Sequence, residues 1–310
     1  MTDQPRFIDP GSFFIFPANI QAIQKIINAR AGVKIMPSNL AQRILVSVIA
    51  IPVIFGITWL GGYAFLALIV GIVFLSQREF YAMCRVGRIE THEVAGIIAG
   101  LLIPINLFFF HDHDFAGLTL FIFVGLMLIE LRTFKPDQGV FRIAVTLLGL
   151  LYAAFLPAHA ILLRELHSQF YLSDSLGIGF IFLALIPTWI NDTAAYGFGK
   201  KFGKRKFCPA ISPNKSVEGS VFGLLFSILS VIALKLAYAD YLSWADSAYL
   251  GLLIGVIGQL GDLIESLIKR DMGVKDSSNI LPGHGGVLDR LDASFLTIPA
   301  TYYFLRYFVF

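Results

Sequence analysis

The sequence predicts an all-α polytopic membrane protein with about nine transmembrane helices, a cytoplasmic N-terminus and a C-terminus outside. Three observations support this fold class. Hydrophobic residues make up 56% of the 310 residues and charged residues only 15%, whereas a soluble domain has about 25% charged residues. The apolar residues fall into runs near the roughly 20 residues that a helix needs to cross a bilayer. The basic residues lie mostly on one side of these runs.

The apolar runs define nine predicted spans in chain order. Several contain a proline, which membrane helices tolerate where neighbouring groups satisfy the freed backbone. The spans cover about residues 44–60, 63–78, 94–110, 115–130, 143–163, 176–192, 219–238, 248–268 and 293–310.

The distribution of Lys and Arg sets the predicted orientation. With the N-terminus in the cytoplasm and the sides alternating, 21 of the 24 basic residues fall inside, and only Arg164, Lys235 and Arg306 do not. Cytoplasmic loops carry an excess of basic residues, and a missed span in the middle would destroy this split. Cys84 and Cys208 then both fall in cytoplasmic segments, so we expect no disulfide.

Residues 1–38 precede the first span and form a separate predicted segment. They mix aromatic residues, Ile and Lys/Arg in "FFIFPANIQAIQKIINARAGVKI", which fits an amphipathic helix in the membrane interface or a poorly ordered tail. Residues 39–310 form one predicted membrane-embedded domain. Its surroundings are the lipid bilayer, and we expect no nucleic-acid partner.

The eighth span carries an unusual polar face. Asp262, Glu265, Ser266 and Lys269 are spaced i, i+3, i+4 and i+7, which places them on one side of a helix. A carboxylate in the middle of a span costs roughly 2.5–3.5 kcal/mol, so it should face a polar cavity or a cation. The alternative is a solvated pair near the helix end.

The loop that follows, "KRDMGVKDSSNILPGHGGVLDRLD", combines groups suited to phosphates and metals. Gly283, Gly285 and Gly286 allow close approach to a ligand. Asp289 offers the oxygen ligands that Mg²⁺ prefers, and Asp262 would approach it across the loop. The basic residues, which are phosphate-binding types, are Lys269, Arg270, Lys275 and Arg290.

The single histidine of this loop, His284, has no second His or Cys at ligand spacing, so a zinc site is not expected. We expect it to shape the loop or to contact a phosphate.

A second polar loop is predicted from about residue 193 to 218, after Asn191 and Asp192. Its basic cluster at residues 200–206 fits either the site or an anchor on anionic lipid heads. In "SPNKSVEG", Ser216 is placed to cap the seventh helix, and Lys215 beside a helix N-terminus makes an anion site. These patterns predict a site with carboxylates for a metal and basic groups for phosphates, and they leave open whether the substrate is a lipid, a nucleotide or both.

The stretch "SLIKRDMGVKDSSNILPGHGGVLDRLD", Ser266 to Asp292, resembles the signature of the CTP:phosphatidate cytidylyltransferases, also called CDP-diacylglycerol synthases. Every fixed position of that signature is filled. "NDTAAYGFGKKFGK" and "ISPNKSVEG" resemble further family segments, as do "REFYAM" after the second span and the start of the first span with Asn39, Arg43 and Pro52. The likeness thus covers about residues 39–310. Three positions depart from the pattern: Asn214 stands where a basic residue is common, Ser216 replaces Thr, and Lys200 stands where Arg is expected.

The resemblance implies that the phosphate of phosphatidic acid attacks the α-phosphorus of CTP, giving CDP-diacylglycerol and pyrophosphate. It implies Mg²⁺ on Asp262 and Asp289, with a second cation such as K⁺ left open. It also suggests a homodimer, and the localisation expected is the bacterial inner membrane with the site facing the cytoplasm. The predicted catalytic residues are Asp262, Asp289, Lys269, Arg270 and Arg290. The predicted substrate-binding residues are Asp192, Ser212, Lys215, Ser216, Glu218, Lys275, His284, Gly285 and Gly286.

Two alternatives remain at this stage. In the first, the chain uses CTP to activate a different lipid phosphate, such as that of an archaeal ether lipid. In the second, it is an ion-coupled transporter whose ion site is formed by Asp262 and Glu265. A transporter has no need of a basic, glycine-rich cytoplasmic loop, so the sequence favours the enzyme.

Overall fold

The structure is a computed structural model that describes residues 48, 52–111, 115–133, 137–280 and 285–310. The N-terminal segment 1–38, most of the first half of the first predicted span, Gly283 and His284 lie outside the described residues.

Helices dominate the described residues. Residues 52–60 are helical, and a short antiparallel hairpin interrupts the later helices. In chain order the elements are α1 (Gly62–Val86), α2 (Glu93–Phe110), α3 (Phe115–Thr133), α4 (Gly139–Leu150), α5 (Leu156–Gln169), α6 (Asp174–Phe202), β1 (Lys206–Cys208), β2 (Ser212–Ser216), α7 (Val217–Ala237), α8 (Trp244–Asp271) and α9 (Leu288–Phe304).

Two π-helical turns lengthen these helices. The turn Leu151–Phe155 joins α4 to α5 in one continuous rod, and the turn Leu305–Val309 extends α9. Within the described residues, seven helices are long and apolar enough to cross a membrane. The predicted class, an all-α polytopic membrane protein, is confirmed. The count of nine spans and their orientation stay predictions.

The sixth predicted span ends later than expected. Its helix, α6, continues to Phe202, so the prediction that a loop begins near residue 193 was wrong. The extra turns pack on α7: the rings of Phe198 and Phe222 stack with centroids 4.3 Å apart. Aromatic burial against a neighbouring helix therefore outweighs the small and polar composition of residues 193–202. Asp192 consequently lies well inside α6 and not at its end.

Side-chain caps fix the start of α7, which follows the hairpin, and the start of α8, which carries the polar face. Ser216 accepts a hydrogen bond from the backbone N of Gly219 at 3.2 Å, which confirms its predicted capping role at α7. Ser243 and Asp246 form a reciprocal capping box at α8. These caps satisfy backbone donors that would otherwise lack partners.

Helix α8 lies between α7 and α9, and its backbone approaches both helices closely. A Cβ added to Gly251 would lie 2.5 Å from the Cα of Ile228 on α7. A Cβ added to Gly261 would lie 2.8 Å from the backbone oxygen of Asp292 on α9. Small residues allow this approach, and it brings the polar face of α8 against the beginning of α9.

Candidate active site

The polar face of α8 is built as the sequence predicts. Ser266 Oγ lies 3.4 Å from Asp262 Oδ1, and Lys269 Nζ lies 2.5 Å from Glu265 Oε2. Glu265 is only 1% exposed, so this face points into the protein. The alternative of a solvated pair at a helix end was therefore wrong for Glu265.

Lys269 also joins α8 to α9. Its Nζ lies 2.7 Å from Asp289 Oδ1, and both side chains are nearly buried. Leaving either carboxylate or the ammonium unpaired at this depth would cost several kcal/mol (about 3–5 when one partner of a buried pair is removed). One ammonium thus compensates two buried carboxylates on two helices.

Asp289 holds the loop between α8 and α9 with its second oxygen. Oδ2 accepts hydrogen bonds at 2.8 Å from the backbone N of Ser277, from Ser277 Oγ and from the backbone N of Gly286. Gly286 is sterically required, because an added Cβ would lie 2.0 Å from Ser277 Oγ. Gly285 adopts φ +81°, which favours glycine. Both glycines thus serve the loop's shape.

The second predicted loop supplies a cation to the same face. Lys215 on β2 places Nζ 2.7 Å from Asp262 Oδ2. The carboxylate of Glu218 accepts hydrogen bonds from the backbone N atoms of Lys204 (3.0 Å) and Arg205 (3.2 Å), which fastens the approach to the hairpin. Ser212 pairs with Cys208 in the hairpin ladder. Glu218 and Ser212 therefore position the segment that carries Lys215.

Two more carboxylates surround Asp262. Asp192 on α6 and Asp292 on α9 are close enough to Asp262 to repel it electrostatically, and Lys215 offsets part of that repulsion. Such an arrangement concentrates negative charge on oxygen ligands, which suits a hard cation. Asp192, Asp262 and Asp292 belong to α6, α8 and α9, three helices that pack against one another.

The oxygen donors of this site are of the type that Mg²⁺ prefers. Within the described parts of the chain, no three His, Cys, Asp or Glu side chains are arranged to hold a metal by themselves. Mg²⁺ is usually held by one or two carboxylates and takes the rest of its ligands from water and substrate phosphates. Asp262 and Asp289 fit that requirement in ligand type, and each already has an ammonium group at 2.7 Å. They pair with different lysines, so the structure does not join them directly.

The other predicted basic residues lie around the rim. Arg270 is exposed and donates from Nη1 to the backbone oxygen of Val274 at 3.2 Å. Lys275 in the loop and Arg290 in the first turn of α9 are also exposed. The three side chains are thus accessible to a ligand, whereas Lys215 and Lys269 lie deeper. Cys84 and Cys208 are both free thiols in the structure, Cys84 buried and Cys208 partly exposed.

Glu79 on α1 is the principal residue that the sequence reasoning missed. It is 1% exposed, and its Oε1 accepts hydrogen bonds from Ser278 Oγ (2.7 Å) and the backbone N of Val287 (3.0 Å). Its Oε2 accepts from the backbone N of Leu288 (2.8 Å) and lies 3.1 Å from Ser277 Oγ. A carboxylate at a helix N-terminus is favourable, and this one fixes both ends of the loop's second half.

Tyr152 is a second residue that sequence reasoning missed. It lies on the π-helical turn between α4 and α5, is 4% exposed, and its hydroxyl has no hydrogen-bond partner among the described residues. Glu265 and Asp292 of the site lie within electrostatic range of this hydroxyl. Turns of this type recur at functional sites, but nothing in a single sequence marks one.

Comparison with known proteins decides the family. The model of the cytidylyltransferase family matches residues 41–308, nearly the whole described region. The chain belongs to the cytidylyltransferase family. The membership expected from the Ser266–Asp292 signature is therefore confirmed.

Phosphatidate cytidylyltransferases of three bacteria are similar to this chain, two of them over most of its length. The phosphatidate cytidylyltransferase of Synechocystis sp. is 34% identical over 286 residues, which cover 85% of this chain and 96% of the relative. That of Bacillus subtilis is 32% identical over 281 residues, covering 87% and 99%. That of Staphylococcus aureus is 46% identical over 132 residues, covering 42% of this chain and 50% of the relative.

The Glu79 network predicts a measurable effect on the loop. Glu79→Gln replaces one acceptor oxygen by an NH₂ group, so at least one of the loop's donors loses its partner, at a cost of about 1–3 kcal/mol. We expect trypsin to cleave at Lys275 several times faster in the purified, detergent-solubilised variant. Asp240→Asn, an exposed carboxylate outside the network, is the control and should leave the cleavage rate unchanged. Equal cleavage rates in Glu79→Gln and the parent protein would show that Glu79 does not hold the loop.

Proposed function

We propose that the chain transfers CMP from CTP to phosphatidic acid, giving CDP-diacylglycerol and pyrophosphate for phospholipid synthesis. The observation that carries this proposal is the paired-charge face of α8, where Lys215–Asp262 and Lys269–Asp289 meet at 2.7 Å. The names of the relatives, phosphatidate cytidylyltransferases, support the same reaction.

The reaction requires positive charge near the phosphates more than it requires a general base. A phosphate oxygen of phosphatidic acid forms a bond to the α-phosphorus of CTP, and the bond from that phosphorus to the bridging oxygen breaks. Pyrophosphate leaves with the electron pair. Because the nucleophile is already an anion, no strong general base is required. The main barrier is the repulsion between two anionic reactants, which preorganised positive groups lower.

Basic residues at two depths would share the neutralisation of the negative charge on the two substrates. Lys215 and Lys269 lie deep beside the carboxylates, whereas Arg270, Lys275 and Arg290 lie on the exposed rim. A lipid phosphate arrives from the membrane and a nucleotide from the aqueous side, so cations at both depths suit a reaction between the two. The remaining positions, Ser212, Ser216, Glu218, Gly285 and Gly286, support the hairpin and the loop that carry these cations.

Asp262 and Asp289 would hold Mg²⁺, with Asp192 near enough to contribute to its charge balance. Bound Mg²⁺ supplies neutralisation of phosphate charge at the reacting centre. A second cation such as K⁺ and a homodimer are part of the proposal that rests on family resemblance alone. The inner membrane of a bacterium is the proposed location, since the named relatives are bacterial.

The reaction is tested with purified protein, labelled CTP and defined lipid phosphates. We expect a CDP-lipid to form from phosphatidic acid, to stop when EDTA removes Mg²⁺ and to resume when Mg²⁺ is restored. Lys215→Met removes one phosphate-binding charge and should lower the rate roughly 10- to 100-fold, whereas Asp240→Asn should leave it unchanged. Failure to form a product with any lipid phosphate would contradict the proposal, and a clear preference for an ether-lipid phosphate would move it to that substrate.

Labelling of a native cysteine can show on which side of the membrane the hairpin lies. Cys208 lies partly exposed in the hairpin, and the only other cysteine, Cys84, is fully buried. We expect a membrane-impermeant maleimide to label Cys208 in inside-out vesicles and not in intact spheroplasts, with Cys208→Ser as the unlabelled control. Labelling in intact spheroplasts would place the hairpin, and the site with it, outside.

A further inference from the structure

Two side-chain amides connect α6, α7 and α8 one helical turn from Asp262. Gln259 on α8 donates from Nε2 to the backbone oxygen of Ser220 on α7 at 2.9 Å and to Asn191 Oδ1 on α6 at 3.1 Å. Asn191 Nδ2 in turn lies 3.4 Å from Oδ1 of Asp192. Gln259 is not among the predicted site residues, although this amide network ends on one of them.

The backbone carbonyl of Ser220 fixes the direction of the hydrogen bonds in the network. A carbonyl oxygen can only accept, so Gln259 must present its NH₂ group to it and not its side-chain oxygen. The second hydrogen of that NH₂ group goes to Asn191 Oδ1. Because Asn191 presents its oxygen to Gln259, its own NH₂ group is left for the Asp192 carboxylate. The flipped amide would place oxygen against oxygen at both ends.

Packing holds the two amides in this arrangement. Asn191 is fully buried, whereas the neighbouring Asp192 is exposed. Gly223 on α7 leaves the space that the amides occupy, because an added Cβ would lie 2.5 Å from Asn191 Oδ1 and 3.0 Å from Gln259 Nε2. Leaving a buried amide unpaired is unfavourable. The network therefore has one satisfied arrangement, and it ends on a carboxylate that a ligand can reach.

Gln259 belongs to the same face of α8 as the charged residues of the candidate site. It precedes Asp262 by three residues, so the two side chains lie on one side of the helix. Ser220 lies in the first turn of α7, directly after the hairpin whose Lys215 lies 2.7 Å from Asp262. The amide network thus joins the helix of Asp262 to the helix that carries Asp192.

We propose that Gln259 is a positioning residue for the metal site: through Asn191 it sets the orientation of the Asp192 carboxylate near Asp262. This inference rests on the proposed function, in which Asp192 contributes to the charge balance around Mg²⁺. Loss of a side chain that orients groups beside a metal lowers metal affinity or activity by roughly 10- to 100-fold. Gln259 acts in this way without touching metal or substrate.

The test measures Mn²⁺ binding by the purified full chain from the electron paramagnetic resonance signal of the free ion. The Mg²⁺ concentration that gives half-maximal turnover is measured beside it. Gln259→Met keeps the length of the side chain and removes both hydrogen-bond donors. We expect it to weaken Mn²⁺ binding and to raise the half-maximal Mg²⁺ concentration, each roughly tenfold. Gly223→Ala displaces the amides without removing a donor and should change both quantities in the same direction.

A double-mutant cycle shows whether Gln259 acts through Asn191. Asn191→Leu should weaken Mn²⁺ binding to the same extent as Gln259→Met. If the two residues act as one network, the double variant should bind Mn²⁺ no more weakly than the weaker of the two single variants. Effects of the two substitutions that multiply in the double variant would show that they act independently and would overturn the proposal.

Two matched controls separate positioning from general helix packing. Ser227→Ala removes another hydrogen bond between α7 and α8, which runs from Ser227 Oγ to the backbone oxygen of Gly251 at 2.8 Å. Gly197→Ala adds a methyl group to α6 at a position where no atom lies within 4 Å. Both variants should bind Mn²⁺ as the parent protein does, and every variant should give one monodisperse gel-filtration peak.

Three results would overturn the positioning role: equal Mn²⁺ binding by the parent protein and Gln259→Met, an equal loss of binding in Ser227→Ala, or a lower yield of folded Gln259→Met with unchanged metal dependence. A parent protein that forms no CDP-lipid would instead contradict the proposed function. The comparison of Mn²⁺ binding would then still decide the role of Gln259.

Discussion

The site depends on the two ion pairs that the ammonium group of Lys269 forms with carboxylates. The ammonium lies 2.5 Å from Glu265 and 2.7 Å from Asp289, so a single charge compensates two buried carboxylates on α8 and α9. Buried charges are tolerated only when paired, and this pairing fixes the two helices against each other at the site. Asp289, held by Lys269 on one oxygen, organises the loop with the other, and Glu79 secures the loop from α1. Loss of the central charge would leave the carboxylates of Glu265 and Asp289 buried without their ammonium partner.

Charge balance also links the structure to the proposed reaction. The deep cations, Lys215 and Lys269, are each paired with a carboxylate that is a candidate metal ligand. Anionic substrates bring phosphates for the lysines, and Mg²⁺ brings charge for the carboxylates, so both kinds of group have a partner in the free protein and in the proposed complex.

Sequence patterns predicted the features set by local periodicity. The face of Asp262, Glu265, Ser266 and Lys269 follows from helical spacing, and the cap at Ser216 from the preference of serine for that position. Features that depend on long-range packing were not predicted. The extension of α6 to Phe202 needs the ring of Phe222, and Glu79 acquires its role from a loop some 200 residues later in the chain. Tyr152 lies on a π-helical turn that no local pattern marks, within electrostatic range of the carboxylates of the site.

The central claim is that the carboxylates on α8 and α9 form the metal-dependent reaction centre. The most direct measurement is anomalous diffraction from Mn²⁺ in crystals grown with a non-hydrolysable CTP analogue, because Mn²⁺ replaces Mg²⁺ at oxygen sites and can be located without ambiguity. The account predicts an anomalous peak at about 2.0–2.3 Å from a carboxylate oxygen of Asp262 or Asp289, next to the phosphates of the analogue. A peak bound only by the analogue, or by residues away from Asp262 and Asp289, would contradict it.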